Sequence, residues 1–290
     1  CIGYIQGEAD NRVFDYGVAY YAKLKLLLQN IRQFIKNNSE TCINPVFVMY
    51  QTCGYEAFNN DDKRMNIALK QLEFSLNEKD SYIAAPNYIY TFNTDRTHIN
   101  RFGYRIMGAC LGACAYRVLY KNIKTRFSLR KKSVFKISEN RYAIDLVFNV
   151  PSEPLVFDNK DLETGGTKKY YGQKNESETT ISNQGFELFT HNWTQDVDSS
   201  PVNTNTWTKY WTAPKLVNWT KKDIITEVQI VRNNTIRIIC SENPEGLELW
   251  YARRGSQGGG FVRDSQSFKF KVDNVEYPVY NWMPLMYIQL

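Results

Sequence analysis

Apolar residues recur along the first part of the chain in two alternating regimes. Tyr20, Leu24, Leu27, Leu28, Ile31, Phe34 and Ile35 return at three- and four-residue steps and predict one long helix ending near Asn37-Asn38. Met65, Ala68, Leu69, Leu72 and Leu76 predict a second helix, with Asp61 as its cap. Met107, Cys110, Leu111, Cys114 and Val118 give the buried face of a third. Before and between them stand short runs that are apolar throughout: Cys1 to Ile5, Val46 to Tyr50, and Tyr82 to Ala85, closed by Pro86. A strand-helix pair repeated in this way, with strands apolar on both faces, predicts parallel strands covered by helices on both sides. Ligands bind such sheets at the carboxyl ends of the strands. The loops leaving that edge are Gln6 to Asp10, Thr52 to Glu56 and Asn87 to His98.

The period changes after Asn122. Arg141 to Asn149 alternates, with Tyr142, Ile144, Leu146 and Phe148 on one face. Further strands are expected at Leu155 to Phe157, Gly185 to Phe189, Glu227 to Val231, Thr235 to Cys240, Leu247 to Ala252 and Phe268 to Val272. Short alternating strands punctuated by Gly, Asn, Asp and Pro predict an antiparallel sandwich. The boundary is placed near Lys124, giving an α/β domain over 1–124 and an autonomous β domain over 125–290. Arg130-Lys131-Lys132 reads as part of a solvated linker.

Composition narrows the classes. With 43 % hydrophobic residues and 14 % aromatics in 290 residues, the chain can build sizeable cores. The net charge of +6 is scattered and forms no nucleic-acid stripe. No apolar run approaches the ~20 residues of a membrane span. The cysteines (Cys1, Cys42, Cys53, Cys110, Cys114 and Cys240) have neither Cys-x-x-Cys pairing nor histidines at zinc spacing. Folding in a reducing compartment fits them better than a disulfide framework. No metal site and no cofactor are expected. A start at Cys1 reads as a processed product or a fragment. Asn-x-Ser/Thr triplets arise from the asparagine-rich composition and carry no glycosylation claim.

The candidate chemistry lies in Asp95-Arg96-Thr97-His98, just before a helix rich in small residues. A carboxylate beside an imidazole fixes its tautomer, and such an imidazole can serve as general base and then general acid. The tetrapeptide alone is short enough to arise by chance. Near the amino terminus, however, stands Gln6-Gly7-Glu8-Ala9-Asp10. Gln-Gly-Glu-x-Asp followed later by Asp-x-x-His, with Gly103-Tyr104-Arg105 in the next helix, resembles the SGNH/GDSL hydrolases. Within them the chain is most similar to the sialate O-acetylesterase-like carbohydrate esterases, over about its first 120 residues.

The resemblance implies the carboxyl-terminal part of a three-layer αβα, flavodoxin-like esterase domain. It implies His98 as the base acting on a serine, Asp95 as its orienting partner and Gln6 as an oxyanion donor, with Gly7 allowing close backbone approach. Glu8 is assigned a structural hydrogen bond or salt bridge. Tyr55, Tyr88 and Tyr90 lie in the same loops as candidate substrate contacts. The family's nucleophilic serine sits on a Gly-x-Ser motif upstream of Gln-Gly-Glu, which this sequence does not contain. The expectation is that another segment, of the same polypeptide or another chain, completes both sheet and triad. A serine of this chain such as Ser256 is the competing source.

Between Thr190 and Lys222, Trp193, Trp207 and Trp211 either pin a long loop to the sandwich or offer faces to sugar rings. Two function classes follow. One is a carbohydrate O-acetylesterase acting on an acetylated surface glycan. The other is a non-catalytic glycan-binding or structural virion protein on an esterase-like scaffold. An esterase domain with an appended sandwich also resembles bacteriophage tail proteins. That likeness implies virion or homo-oligomer assembly, and folding in a reducing cytoplasm before extracellular work.

Overall fold

The structure is a computed structural model, describing residues 1–8, 10, 14–41, 44–53, 66–94, 98–168, 170–171, 178–179, 181–190, 220–253, 259–272 and 274–290. It is a mixed α/β protein with a three-stranded parallel sheet and several antiparallel sheets. The described residues include three α-helices.

The parallel sheet has the order β1 (Ile2–Tyr4), β2 (Phe47–Gln51), β3 (Ser81–Pro86). Helix α1 (Phe14–Asn38) joins β1 to β2, and α2 (Asn66–Asn77) joins β2 to β3. Every residue of β2 is buried because both of its faces are covered. Phe47 and Met49 point into a cluster with Tyr20, Leu24 and Leu28 of α1 and Ile67 and Phe74 of α2. Val48 and Tyr50 point the other way, into a cluster with Ile106, Met107 and Cys110 of α3 (Arg101–Leu119). The period of two along one strand thus serves two helical layers.

The stripe expected on α1 is only partly used. Tyr20, Leu24 and Leu28 are buried, whereas Leu27 and Phe34 are exposed. Leu27 and Phe34 lie seven residues apart on the same flank, and a sheet of this width does not reach it. The cap expected at Asp61 lies outside the described residues. Helix α3 starts where Asn100 accepts a hydrogen bond from Gly103 N at 2.7 Å, a side-chain cap. A Cβ on Gly103 would stand 2.3 Å from Ile99 Cγ2 and 2.7 Å from the Thr91 carbonyl. Glycine therefore lets the first turn of α3 lie against the preceding loop. Gly103→Ala is expected to cost about 2–4 kcal/mol by this overpacking, read from urea unfolding.

The antiparallel part begins earlier than expected. Arg130-Lys131-Lys132 is not a linker: it lies within β4 (Ser128–Ser138), paired with β5 (Arg141–Asn149). The basic run is solvated because β4 is an edge strand of its sheet, where charged side chains remain wet. That sheet has the order Ile225–Arg232, Thr235–Cys240, β5, β4. Ile236 pairs with Leu146 and Ile238 with Ile144, and all four are buried. On the opposite face, Asp145 receives both Arg237 Nε at 2.7 Å and Arg237 Nη2 at 2.8 Å. A second sheet has the order Lys221–Lys222, Phe186–Thr190, Leu247–Tyr251, Met286–Gln289. The expected strands at Thr235 and Phe268 occur with those bounds, whereas Val275–Val279 and Met286–Gln289 went unread.

The change of architecture falls in the connector between α3 and β4, around Lys124. The buried cluster continues across it, from Val48 and Tyr88 through Ile144 and Trp250 to Met283 and Leu285. Tyr88 OH donates to the Met283 carbonyl at 2.6 Å, and Tyr88 OH and Tyr251 OH lie 3.1 Å apart.

Candidate functional site

The turn after β1 folds across the carboxyl ends of the other two strands. Gly7 has φ +143, and a Cβ there would lie 3.0 Å from atoms of Gln71, Ile67 and Thr52. Only glycine lets the backbone approach α2 so closely. Gln71 holds the turn by donating to the Gln6 carbonyl at 2.8 Å, while its Oε1 accepts from Thr52 N at 2.8 Å. Glu8 then reaches over the sheet edge. Its Oε1 accepts from Tyr50 OH, near the end of β2, and from Asn87 Nδ2 at 3.4 Å, just past β3. Glu8 is thus held by hydrogen bonds to the ends of both neighbouring strands.

Gln6 is held less openly than an oxyanion donor would need. Its Nε2 donates to Asp10 Oδ2 at 2.6 Å, and its Oε1 accepts from Tyr4 OH at 3.0 Å. One amide N–H remains for a ligand. His98 is an exposed residue of the loop between Asn87–Ile89 and α3. Its carbonyl accepts from Asn93 N at 2.8 Å, and a bridge joins Phe92 to Ile99. Asp95, Tyr55, Ser256, Trp193, Trp207 and Trp211 lie outside the described residues.

Tyr88 and Tyr90 are corrected. They are 0 % and 4 % exposed, so neither ring offers a face to a sugar. Tyr88 serves instead as the post on which the two halves meet. Cys53 lies two residues past β2 at the same edge, and burial pushes its thiol up to about 12. A thiol held neutral in this way is a packing group and no nucleophile. Thr52 Oγ1 and Asn87 Oδ1 are buried in this cluster without hydrogen-bond partners among the described residues.

Sequence reasoning missed the roof of the site, a loop from the second half. Asp161 Oδ1 accepts from Glu163 N at 3.0 Å and from Thr164 N at 2.7 Å, which closes a tight turn. From this turn Glu163 accepts Asn100 Nδ2 at 3.0 Å, beside the start of α3. Farther along, Lys168 Nζ donates to the Tyr88 carbonyl and lies 5.5 Å from the centre of the Tyr88 ring. Lys168 is 6 % exposed, and among the described residues no carboxylate lies within ion-pair distance of it. Nothing in Gly165-Gly166-Thr167-Lys168-Lys169 distinguishes this lysine from its neighbour; only the fold selects it.

Burial lowers the Lys168 amine to about 8, with Asp161, Cys53 and Asp158 pulling it back up. Relative to the ordinary 10.5, that is a cost of about 3 kcal/mol for the buried ammonium. Lys168→Met keeps the stem, removes the charge and loses one hydrogen bond worth about 1 kcal/mol. The variant is expected to be about 2 kcal/mol more stable at pH 7. The folded state loses this proton more readily than the unfolded state, so wild-type stability climbs from pH about 8 toward 10.5. The advantage of the variant should vanish over that window in denaturant unfolding at several pH values. A constant difference would mean that Lys168 carries no buried charge.

Comparisons with protein-family models, with curated proteins and with solved structures find no match. Among the described residues, no helix is long and apolar enough to cross a membrane.

Proposed function

We propose that the intact protein is an SGNH-type carbohydrate O-acetylesterase, hydrolysing acetyl esters of a surface glycan by serine acyl transfer. The observation that supports the reading is the place of the Gln6-Gly7-Glu8 turn at the carboxyl edge of the parallel sheet. The Gln6-Gly7-Glu8 turn is tied to the ends of β2 and β3, and the connection leaving β3 carries His98. Ligands of parallel sheets bind at that edge. In this reading the first half is the later part of a flavodoxin-like, three-layer domain, and the antiparallel sheets form an appended sandwich. His98 is the base, Asp95 its orienting partner, and the free N–H of Gln6 one oxyanion donor.

The nucleophilic serine would come from a segment pairing with β1, whose described pairing is with β2 alone and which is followed by the exposed Ile5. Such a strand also covers backbone groups that an edge leaves open. A phage-tail setting, with assembly in a reducing cytoplasm, agrees with the free thiols of Cys1, Cys53, Cys110, Cys114 and Cys240. The second reading, a glycan-binding or structural virion protein, is favoured by the Gln6–Asp10 bond, which engages one of the two amide N–H groups of Gln6 and fixes its direction.

The test is acetate release by the intact protein from p-nitrophenyl acetate and from acetylated polysaccharide. Turnover of either supports the esterase. Binding of the polysaccharide without acetate release selects the second reading.

A further inference from the structure

A small cavity lies between the two halves, away from the site described above. Its walls include Ser75 of α2, Tyr82 of β3, Arg117 of α3, Arg126 of the connector, and Asn281 and Trp282 of the carboxyl-terminal segment. Arg126 donates to the carbonyl of Ser81, the first residue of β3, at 2.9 Å. The cavity therefore sits toward the amino end of β3, whereas Glu8 and Lys168 sit at the carboxyl end.

Two guanidinium groups line this cavity, and neither forms an ion pair with a carboxylate among the described residues. Arg117 is 2 % exposed. Its Nη1 donates to the Ile123 and Thr125 carbonyls, each at 2.9 Å, and so fixes the connector. Its other edge is nearly unused: Nη2 meets only the Cys114 sulfur at 3.6 Å, and Nε is buried without a partner among the described residues. The Nε–Nη2 edge of arginine is a two-pronged fork suited to an anion. Arg126 spends Nε and Nη2 on the Ser81 and Glu78 carbonyls and lies 4.8 Å from the Tyr82 ring centre. Asp264, outside the cavity lining, is 0 % exposed; the Arg117 charge acts on it through space, but the two form no ion pair among the described residues. Its oxygens accept from Asn281 N at 3.2 Å, Asn281 Nδ2 at 2.8 Å and Gln266 N at 3.2 Å.

A buried, permanently charged fork with an unspent donor needs a counter-charge or water. We infer that this cavity binds one small free monoanion, of the size of a halide or formate, on the Nε–Nη2 edge of Arg117, bridging the two halves. The size follows from the space: the cavity volume is about 20 Å³, room for one such ion and too little for a sugar ring. Because the walls come from α2, α3, β3 and the segment at Asn281, the ion stabilises the docking of the halves and not the chemistry at Glu8.

The experiment uses the wild-type chain in sodium gluconate, whose anion is too large to enter, with bromide replacing gluconate at constant ionic strength. The unfolding midpoint should rise saturably by roughly 2–4 °C, and formate should compete for the same effect. Arg117→Gln should abolish the rise. Should that variant not fold, because the connector bonds are lost, wild-type crystals soaked in bromide decide the matter. An anomalous bromide peak against Arg117 Nε supports the inference. Ordinary water density there with no anomalous signal overturns it, as does a midpoint that fails to respond to bromide.

Discussion

Replacing His98 by alanine is expected to lower acetyl-ester turnover by about 10²–10⁴ while the protein stays folded. The first half of that expectation rests on the proposed role of the imidazole as base. The second half rests on how the loop is built. His98 is exposed, and its loop is held in part by backbone bonds: Asn93 N to the His98 carbonyl at 2.8 Å and Asn100 N to the Thr91 carbonyl at 2.8 Å. Asn100 then caps α3 and holds Glu163, independently of the imidazole. Alanine preserves all of these. Loss of activity in a protein of unaltered stability would identify a chemical role. Undiminished turnover of p-nitrophenyl acetate would remove His98 from the mechanism. Asp95→Asn should slow the reaction as well, by spoiling the imidazole tautomer.

Gln51→Ala is expected to be the most damaging single change to the joint between the halves, costing about 3–5 kcal/mol. Gln51 is fully buried at the end of β2. Its Nε2 donates to the Ala68 carbonyl at 3.0 Å and the Leu285 carbonyl at 2.9 Å, while its Oε1 accepts from Leu285 N at 2.7 Å. One amide thereby ties α2 to β2 and both to the segment entering Met286–Gln289. Truncation takes the Gln51 bonds from Leu285 N–H and the Leu285 carbonyl in a dry junction and strips the Ala68 carbonyl of the bond it accepts beside its helical one, at about 1–1.5 kcal/mol each and more where no water can enter. That is a large part of an ordinary folding stability of about 5–15 kcal/mol. Gln51→Met separates hydrogen bonding from cavity formation. It refills the space, so a cost within about 1 kcal/mol of the alanine variant assigns the loss to the hydrogen bonds. A cost below about 1 kcal/mol for Gln51→Ala in urea unfolding would mean that the halves are not joined at this residue.

Local periodicity determined much of this protein. The order of β1, α1, β2, α2, β3 and α3 follows from apolar steps of two, three and four. So does the alternation of β5, because each of these elements buries a face that neighbouring residues define. That the Gln6-Gly7-Glu8 turn lies at the carboxyl edge of the sheet was also legible, since parallel strands send their loops to one side. The close backbone approach at Gly7 was expected there as well. The tertiary structure alone decided what depends on partners distant in the chain. It placed the basic run Arg130-Lys131-Lys132 in β4, because edge strands tolerate charge that sequence reads as linker. It buried Tyr88 and Tyr90, whose composition suits a sugar platform equally well, because Tyr251, Met283 and Lys168 close over that corner. It also chose Lys168, Arg117 and Gln51 from many similar polar residues. Their roles arise from contacts made across the two halves, where burial removes water and makes each unpaired charge or amide count.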